Sequence, residues 1–186
     1  MKNIVRCTWC EKDDLYRNYH DQEWGKPIYD DQLLFEFLIL ETFQAGLSWY
    51  MVLAKRENFR NAFAHFDYQK VAQFDEEKIQ ELLLDAGIIR NQLKVRAAVS
   101  NAIAFMKVQE EFGSFSNYIW KFTDGKPIDN CPKTLREVPA STPLSDAISK
   151  DLKKRGFKFV GTTVVYAHMQ ATGMVNDHVA DCWTRH

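Results

Sequence analysis

Hydrophobic residues recur at helical spacing along most of the chain, most strongly in the stretch 30–50, DDQLLFEFLILETFQAGLSWY. Its leucine and phenylalanine side chains form one stripe of a helix that Asp30 or Asp31 can cap. Gly46 ends this helix, and Ser48 is placed to cap a second helix directly after the turn. The pattern therefore predicts two consecutive helices joined by a tight turn.

The same spacing predicts helices over most of the remaining sequence. They are expected over 55–66 as a continuation of the second helix, and over 75–87, 88–106, 112–122, 144–156 and 162–173, with only short helical or irregular structure before residue 30. Residues 123–142 contain three of the five prolines and predict one long loop. Residues 159–166 are rich in β-branched side chains, but their flanks favour a helix. The fold class is therefore all-α, in one domain over 1–186 or two lobes sharing a core.

Composition restricts the possible functions. Lysine and arginine number 24 against 25 acidic residues, so the overall charge indicates neither nucleic acid nor membrane binding. The four cysteines are too few and too scattered for a secreted disulfide framework, and Cys131 is expected to be a free thiol. No stretch approaches the length of an apolar membrane span, and the first residues lack the apolar segment of a signal peptide. We therefore expect a cytoplasmic protein without a membrane segment.

Glu41 lies on the hydrophobic stripe of the first predicted helix, one turn after Phe37 and Leu38. A carboxylate there is costly, or takes up a proton, unless it finds hydrogen-bond donors or a cation. The aromatic residues grouped with it are Tyr16, Tyr19, Trp24 and Trp49. Four rings and one acid suit a flat ligand that is cationic or donates hydrogen bonds. The structural alternative is that Glu41 braces a neighbouring segment and that each ring belongs to the core.

The region 152–167 predicts two helices joined by a turn with two glycines. Backbone N–H groups in such a turn, with a helix N-terminus behind them, are suited to hold a phosphate. Positive charge concentrates there, on Lys150, Lys153, Lys154, Arg155 and Lys158. We expect a sequence-independent contact with a nucleic acid backbone, against the alternative of an ordinary helical turn with a solvated basic face. The residues expected at this contact are Gly156, Lys158, Gly161 and Thr162.

His178 and Cys182 stand one helical turn apart, the separation at which two ligands face the same metal ion. Near the other end of the chain, Cys7 can join them with either Cys10 or His20. A Cys-x2-Cys pair is the more ordinary sequence pattern, whereas the second choice leaves Cys10 free. Alternatively, the two N-terminal cysteines are buried or redox-active and His178 is a core histidine.

Several ordered segments are similar to those of 3-methyladenine DNA glycosylase I, a family of bacterial base-excision repair enzymes in the helix-hairpin-helix superfamily. They are RCTW, LYRNYHDQEWG, LLFEFLILETFQAGLSW, VLAKRENFR, DAGIIRN, LKKRGFKFVGTT and GMVNDH, and they extend over nearly the whole chain. The resemblance implies a two-lobed helical fold with DNA at the cleft and one Zn²⁺ joining the chain ends. Its ligands would be Cys7, His20, His178 and Cys182, which leaves Cys10 out. Four protein ligands leave no open coordination site, so this zinc would be structural.

The same resemblance implies an enzyme that hydrolyses the N-glycosidic bond of N3-methyladenine in double-stranded DNA, as a monomer, leaving an abasic site. Glu41, buried and ionised, and Tyr19 would be hydrogen-bond partners of the flipped base, and Trp49 would be its stacking ring. The walls would be Tyr16, Trp9 and Trp24. Methylation at N3 makes the adenine cationic and a ready leaving group, so recognition of the base would matter more than proton transfer.

One position departs from the wider superfamily. Many of its glycosylases carry an Asp in a Val-Asp-x-His context, where this chain has Asn176 followed by Asp177. We therefore do not assign Asp177 as a catalyst, and the lack of a lysine at the expected nucleophile position favours a monofunctional hydrolase. The alternative function is a non-catalytic, zinc-stabilised helix-hairpin-helix module that binds DNA. Glu41 among aromatic rings argues against it, since a backbone binder needs no buried acid. A redox protein built on Cys7 and Cys10 is a weaker third interpretation.

Overall fold

The computed structural model describes residues 4–185. Met1, Lys2, Asn3 and His186, which the predicted domain 1–186 includes, lie outside the described part. Within it, ten α-helices are present: α1 Asp14–Gln22, α2 Asp31–Gln44, α3 Trp49–Leu53, α4 Arg56–Ala62, α5 Tyr68–Val71, α6 Glu76–Leu84, α7 Gln92–Phe112, α8 Phe115–Trp120, α9 Pro143–Lys154 and α10 Thr162–Ala171. Short 3-10 helices cover Thr8–Cys10, Ala64–Phe66, Lys121–Thr123, Leu135–Glu137 and Trp183–Arg185. The all-α prediction is confirmed.

Helix α2 lies at the centre of the core. Its residues from Leu34 to Phe43 are all buried, and α7 and α10 pack against it. A helix that is covered on every side has no solvent face on which to place a charge. The predicted cap is present, since the Asp30 side chain accepts a hydrogen bond of 2.9 Å from the backbone N–H of Leu33. Glu41 is therefore enclosed by the fold as well as by its own helix.

The turn between α2 and α3 has the predicted geometry. Gly46 adopts a left-handed backbone conformation with φ +79°, and Ser48 Oγ accepts a hydrogen bond from the Met51 N–H. A contact that local sequence does not indicate also holds this turn. Lys94 Nζ, from α7, donates to the carbonyl oxygens of Phe43 at 2.8 Å and Ala45 at 2.6 Å. These are unpaired carbonyls at a helix C-terminus, where a cation is favourable.

The predicted continuation of the second helix over 55–66 is wrong. α3 ends at Leu53 and α4 at Ala62, and then Ala64, His65 and Phe66 all have positive φ values between 52° and 56°. Three consecutive left-handed residues cannot continue a right-handed helix. Phe66 is completely buried here, so packing of its ring in the core offsets the backbone strain.

The boundaries of the longest helix also differ from the prediction. The helix expected over 88–106 begins only at Gln92, because the side chain of Asn91 caps it, and it continues to Phe112. Gly113, with φ +82°, ends it. The long loop also contains a strand that was not expected: β1, Ile128–Asp129, pairs in parallel with β2, Val175–Asn176. This pairing attaches the long loop to the segment after α10.

The first and last described segments lie side by side. The backbone N–H of Trp183 donates to the carbonyl of Val5 at 3.0 Å, and Arg6 forms an ion pair with Asp21 at 2.9 Å. A second, smaller group of buried hydrophobic residues forms at this junction, separate from the main core around α2. In the part of the chain that is described, no helix combines the length and the hydropathy required to cross a membrane.

Candidate active site

A cavity of about 320 Å³ opens beside α1, α2, α3 and α10, and we call it the aromatic pocket. Its walls are Trp9, Tyr16, Tyr19, Trp24, Glu41, Gln44, Trp49, Leu135, Val138, Ala167 and Gln170. The structure thus brings all six residues predicted for base recognition to one cavity. They come from the 3-10 helix Thr8–Cys10, from α1 and the segment after it, from α2 and from α3.

The rings around the aromatic pocket support one another. Trp9 makes edge contacts with Tyr16 and Trp24, at centroid distances of 5.2 and 5.1 Å, and Tyr19 lies 5.4 Å from Trp49. Edge-to-face packing of this kind is favourable and fixes ring orientation. The pocket is therefore walled by rings that are held in place before any ligand arrives.

Two buried polar atoms in the aromatic pocket have no hydrogen-bond partner among residues 4–185. They are Oε2 of Glu41 and Nε1 of Trp49. Glu41 is 3% exposed, and its burial raises the pKa of this carboxyl well above the usual range. The ionised form expected from the sequence is therefore disfavoured unless a cation balances its charge. The alternative in which Glu41 braces a neighbouring segment is wrong, because no described residue hydrogen-bonds to it.

Tyr19 lies on the wall next to Glu41 and is almost completely buried. Burial raises the pKa of its hydroxyl well above 10, and the nearby Glu41 carboxyl acts in the same direction. The phenol consequently stays protonated at neutral pH and can donate a hydrogen bond. A donor from Tyr19, an acceptor from Glu41 and the indole N–H of Trp49 thus surround one space.

Five wall residues were missed by sequence reasoning: Gln44, Leu135, Val138, Ala167 and Gln170. Ala167 and Gln170 stand three apart on α10, so helical spacing could have placed them on one face, although nothing local connects that face to Glu41. Leu135 and Val138 come from the long loop, which carries no periodic signal. Only the folded chain brings them to the pocket.

Cys7, His20, His178 and Cys182 form a buried group that we call the Cys/His cluster; their potential ligand atoms all lie within 4.8 Å of one another. His178 Nδ1 is 3.2 Å from His20 Nε2 and 3.7 Å from Cys7 Sγ. Cys182 Sγ is 3.5 Å from His20 Nε2. In a tetrahedral zinc site, ligand bonds of normal length separate two nitrogens by about 3.3 Å and a nitrogen from a sulfur by about 3.6 Å. The donor set and spacing therefore fit a tetrahedral metal ion.

The outward nitrogens of the two histidines have partners of their own. His20 Nδ1 is 2.7 Å from the Asp21 carboxylate, and His178 Nε2 is 3.0 Å from the carbonyl oxygen of Trp24. Such contacts place the proton on the outer nitrogen and leave the inner nitrogen as a lone-pair donor. Burial lowers the pKa of His178 to about 4, which also keeps it neutral. Cys10, in contrast, donates a hydrogen bond from its thiol to the backbone carbonyl of Cys7 and lies outside the cluster.

The turn 155–161 joins α9 to α10. Gly156 has φ +94°, and a Cβ atom placed on Gly161 would meet nothing within 4 Å, so its approach from outside is open. Gly161 is the N-cap of α10 and has no side chain to accept hydrogen bonds. The first backbone N–H groups of α10 therefore have no side-chain cap. Asn101, from α7, brackets Lys158 by accepting from its N–H at 2.8 Å and donating to its carbonyl at 3.1 Å.

Two residues of this region have partners within the protein: Thr162, which was predicted for the backbone contact, and Arg155, which belongs to the predicted concentration of positive charge. The Thr162 hydroxyl lies 2.8 Å from Ser145 Oγ, so only its backbone N–H remains available. Arg155 forms ion pairs with Glu111 and Asp151 and is not a free cation. The exposed lysines of this region carry the remaining positive charge: Lys150, Lys153, Lys154 and Lys158.

Comparison with known proteins adds to this geometry. Residues 9–186 match the model of the family described as methyladenine glycosylase. The chain belongs to the methyladenine glycosylase family. It is 51% identical over 179 residues to DNA-3-methyladenine glycosylase 1 of Escherichia coli (strain K12), covering 96% of each chain. The family resemblance drawn from the sequence is confirmed.

Solved structures agree with this assignment. A crystal structure of 3-methyladenine DNA glycosylase I matches with a TM-score of 0.94 and 49% identity, over 96% of this chain and 98% of that one. A variant of 3-methyladenine DNA glycosylase I in complex with 3-methyladenine matches with a TM-score of 0.94 and 36% identity, over 97% of each chain. The fold described above is thus the fold of this family.

Proposed function

We propose that this protein is a DNA-3-methyladenine glycosylase that hydrolyses the N-glycosidic bond of N3-methyladenine in double-stranded DNA and leaves an abasic site. Membership of the methyladenine glycosylase family supports the activity. The observation that carries the proposal is the buried carboxyl of Glu41, which lines an aromatic cavity and whose Oε2 has no hydrogen-bond partner among residues 4–185. A non-catalytic DNA-binding module needs no such feature.

The aromatic pocket suits a base that has left the helical stack. A target base within the duplex cannot reach a cavity walled by side chains, so the nucleotide has to flip out, at a cost of a few kcal/mol. Stacking against Trp49 offsets part of that cost, and attraction between a cationic base and the ring adds roughly 1–2 kcal/mol. A base already weakened in its pairing flips most readily.

Glu41 provides the discrimination between damaged and normal adenine. Next to a neutral base the Glu41 carboxyl stays protonated, because burial favours the protonated form of the acid. N3-methyladenine in DNA carries a positive charge, which stabilises the ionised carboxylate and is stabilised by it. The pocket thus binds the cationic base more tightly than adenine. Because the bonding electrons neutralise the methylated base as it leaves, its departure needs no proton from a protein acid, and the contribution of the pocket is to select the charged base.

We propose that the turn 155–161 and the N-terminus of α10 hold the DNA backbone. The open approach at Gly161, the uncapped N–H groups behind it and the exposed Lys158 support a phosphate contact without base specificity. Asn101 fixes the turn in one conformation, so little order has to be gained on binding. This corresponds to a helix-hairpin-helix role for α9 and α10.

We further propose that the Cys/His cluster holds one Zn²⁺ ion. Two thiols and two imidazole nitrogens, at the separations given above, are the donors that zinc prefers, and all four positions are filled by protein. Bound there, the ion would join the two ends of the chain and contribute to folding. A closed set of four protein ligands leaves no position for water or substrate, so the role of the ion would be structural.

We also propose that the protein acts as a monomer in the cytoplasm. The aromatic pocket, the turn 155–161 and the Cys/His cluster are all built from a single chain, which supports action as a monomer. Free thiols in a metal-binding cluster and a relative from Escherichia coli support a cytoplasmic location.

The proposed function is tested by incubating purified protein with DNA treated with a methylating agent and measuring the release of free bases by chromatography. We expect release of 3-methyladenine, abasic sites in the DNA and no strand cleavage. Glu41→Ala is the matched control, because it removes the acid and leaves the turn 155–161 intact. Tight binding to this DNA without release of any base would favour the non-catalytic module instead.

A further inference from the structure

Gln170 lines the aromatic pocket and plays no part in the recognition chemistry described so far. Its side-chain Nε2 donates a hydrogen bond of 2.8 Å to Oδ2 of Asp177. A carboxylate only accepts hydrogen bonds, so the amide nitrogen has to face Asp177. The side-chain carbonyl oxygen of Gln170, Oε1, accepts no hydrogen bond from residues 4–185. It is therefore the amide atom left to face a ligand.

Asp177 is itself fixed in place. It is 1% exposed, and it accepts a hydrogen bond of 2.7 Å from Asn130 Nδ2 on one oxygen and another of 2.7 Å from the Tyr166 hydroxyl on the other. Asn130 directly follows β1 and Asp177 directly follows β2, so the short parallel pairing brings these two residues together. A buried carboxylate with this many donors is rigid. Gln170 is consequently held with its amide in one orientation.

We propose that Gln170, positioned by Asp177, selects purines that carry an amino group at C6 over purines that carry an oxygen there. This inference rests on the proposed function and adds a determinant of substrate class to it. Adenine presents a hydrogen-bond donor at that position and guanine an acceptor. A fixed carbonyl oxygen gains a hydrogen bond from the first and opposes the second. Gln170 is a specificity-determining residue, and Asp177 is its positioning residue.

The test uses one substrate that contains both kinds of base. DNA treated with a methylating agent carries 3-methyladenine and 3-methylguanine, and the ratio of their initial release rates is measured in the same reaction. Losses in folded protein or in DNA affinity affect both rates equally and cancel. Gln170→Leu keeps the size of the side chain and removes the oxygen. We expect this ratio to fall by about tenfold, since a hydrogen bond is lost and an opposing contact is relieved.

Two further variants separate positioning from packing. Asp177→Asn allows the residue to donate as well as accept, so the Gln170 amide can turn over, and the ratio falls by about threefold. Tyr166→Phe is the matched control: it removes another donor to the same Asp177 oxygen and leaves the Gln170 contact in place. We expect it to keep the wild-type ratio within about twofold.

The inference is overturned if Gln170→Leu and Asp177→Asn retain the wild-type ratio, or if they slow both releases equally. A fall with Tyr166→Phe as large as with Asp177→Asn would also contradict it, because the ratio would then report general damage to the network. Failure of the proposed function gives a different result, in which the wild-type protein releases neither base.

Discussion

The aromatic pocket and the Cys/His cluster are both buried polar sites, and they meet on α1, where Tyr19 lines one and His20 belongs to the other. In the pocket, Oε2 of Glu41 and Nε1 of Trp49 have no hydrogen-bond partner among the described residues. In the cluster, lone-pair donors converge within 4.8 Å and are oriented from outside by Asp21 and Trp24. A site that binds its ligand transiently leaves polar atoms without hydrogen-bond partners, whereas a site that holds an ion permanently has its ligand atoms already oriented toward one point.

The comparison separates two kinds of loss. A change in the cluster is expected to reduce stability, because metal binding and folding are one equilibrium there. A change in the pocket is expected to reduce activity, because its groups are not needed to hold the fold. Measuring both stability and activity therefore distinguishes a change in the cluster from a change in the pocket.

The largest effect is expected for Cys182→Ala. Loss of one ligand weakens the ion that joins the two chain ends, so we expect the Tm to fall by roughly 10 °C or more and the zinc content to fall with it. Differential scanning calorimetry and metal analysis of the purified protein measure the two quantities. Cys10→Ala is the control, since Cys10 is also a buried cysteine, at the end of the 3-10 helix Thr8–Cys10, but lies outside the cluster. Full zinc in Cys182→Ala would refute the ligand assignment.

Glu41→Gln is expected to have the next largest effect, a loss of activity. The amide keeps the shape of the side chain but cannot balance the positive charge of the base, so release of 3-methyladenine should slow by about 100-fold or more. Single-turnover release from methylated DNA measures this rate. Affinity for undamaged DNA and zinc content should remain at wild-type values. An unchanged rate would remove Glu41 from the recognition mechanism.

Trp49→Phe tests the second unpaired atom. The substitution keeps an aromatic ring for stacking and removes the indole N–H, so the cost is that of one hydrogen bond. We expect release to slow by about fivefold. Trp49→Leu, which removes the ring as well, should slow it further in the same assay. Equal rates for the phenylalanine variant and the wild type would show that the N–H takes no part in binding the base.

The smallest effect is a dependence of stability on pH. Burial raises the pKa of Glu41 in the folded protein above its value in the unfolded chain, so the folded state holds a proton that the unfolded state releases. Below the unfolded pKa both states are protonated and there is no penalty. As pH rises from there toward the folded pKa, the penalty grows. Glu41→Gln should therefore be more stable than the wild type at neutral pH, and this advantage should vanish near pH 4 in urea titrations. A constant difference across pH would argue against the raised pKa.

Much of the fold could be predicted from the sequence, because the signals were local. The caps at Asp30 and Ser48, the turn at Gly46 and the all-α class all follow from residues within a few positions of the feature. The three left-handed residues 64–66 could not be predicted, since no glycine occupies them and burial of Phe66 decides their conformation. The pairing of β1 with β2 joins two-residue segments far apart in the chain, below the length at which a periodic pattern is visible.

The site divides in the same way. Glu41 was identifiable because a charge on a hydrophobic stripe is a local anomaly, and the rings could be grouped with it by type. The roles of Gln170 and Asp177 could not be identified from the sequence. Their contact with each other depends on the strand pairing, and their position relative to the pocket depends on the packing of α10 against α2. The ionisation of Glu41 also required the structure, since it depends on how completely the fold excludes partners from the carboxyl.

The meeting of the chain ends has a consequence for synthesis of the protein. Cys7 leaves the ribosome well before the cluster residues His178 and Cys182, because His178 lies 171 residues further along the chain. Helix α1, which carries Tyr19 of the pocket wall, therefore cannot be fixed against the segment around His178 and Cys182 until that segment has been translated. A nascent chain that has not yet reached residues 178–182 lacks the segment against which this wall of the pocket is fixed.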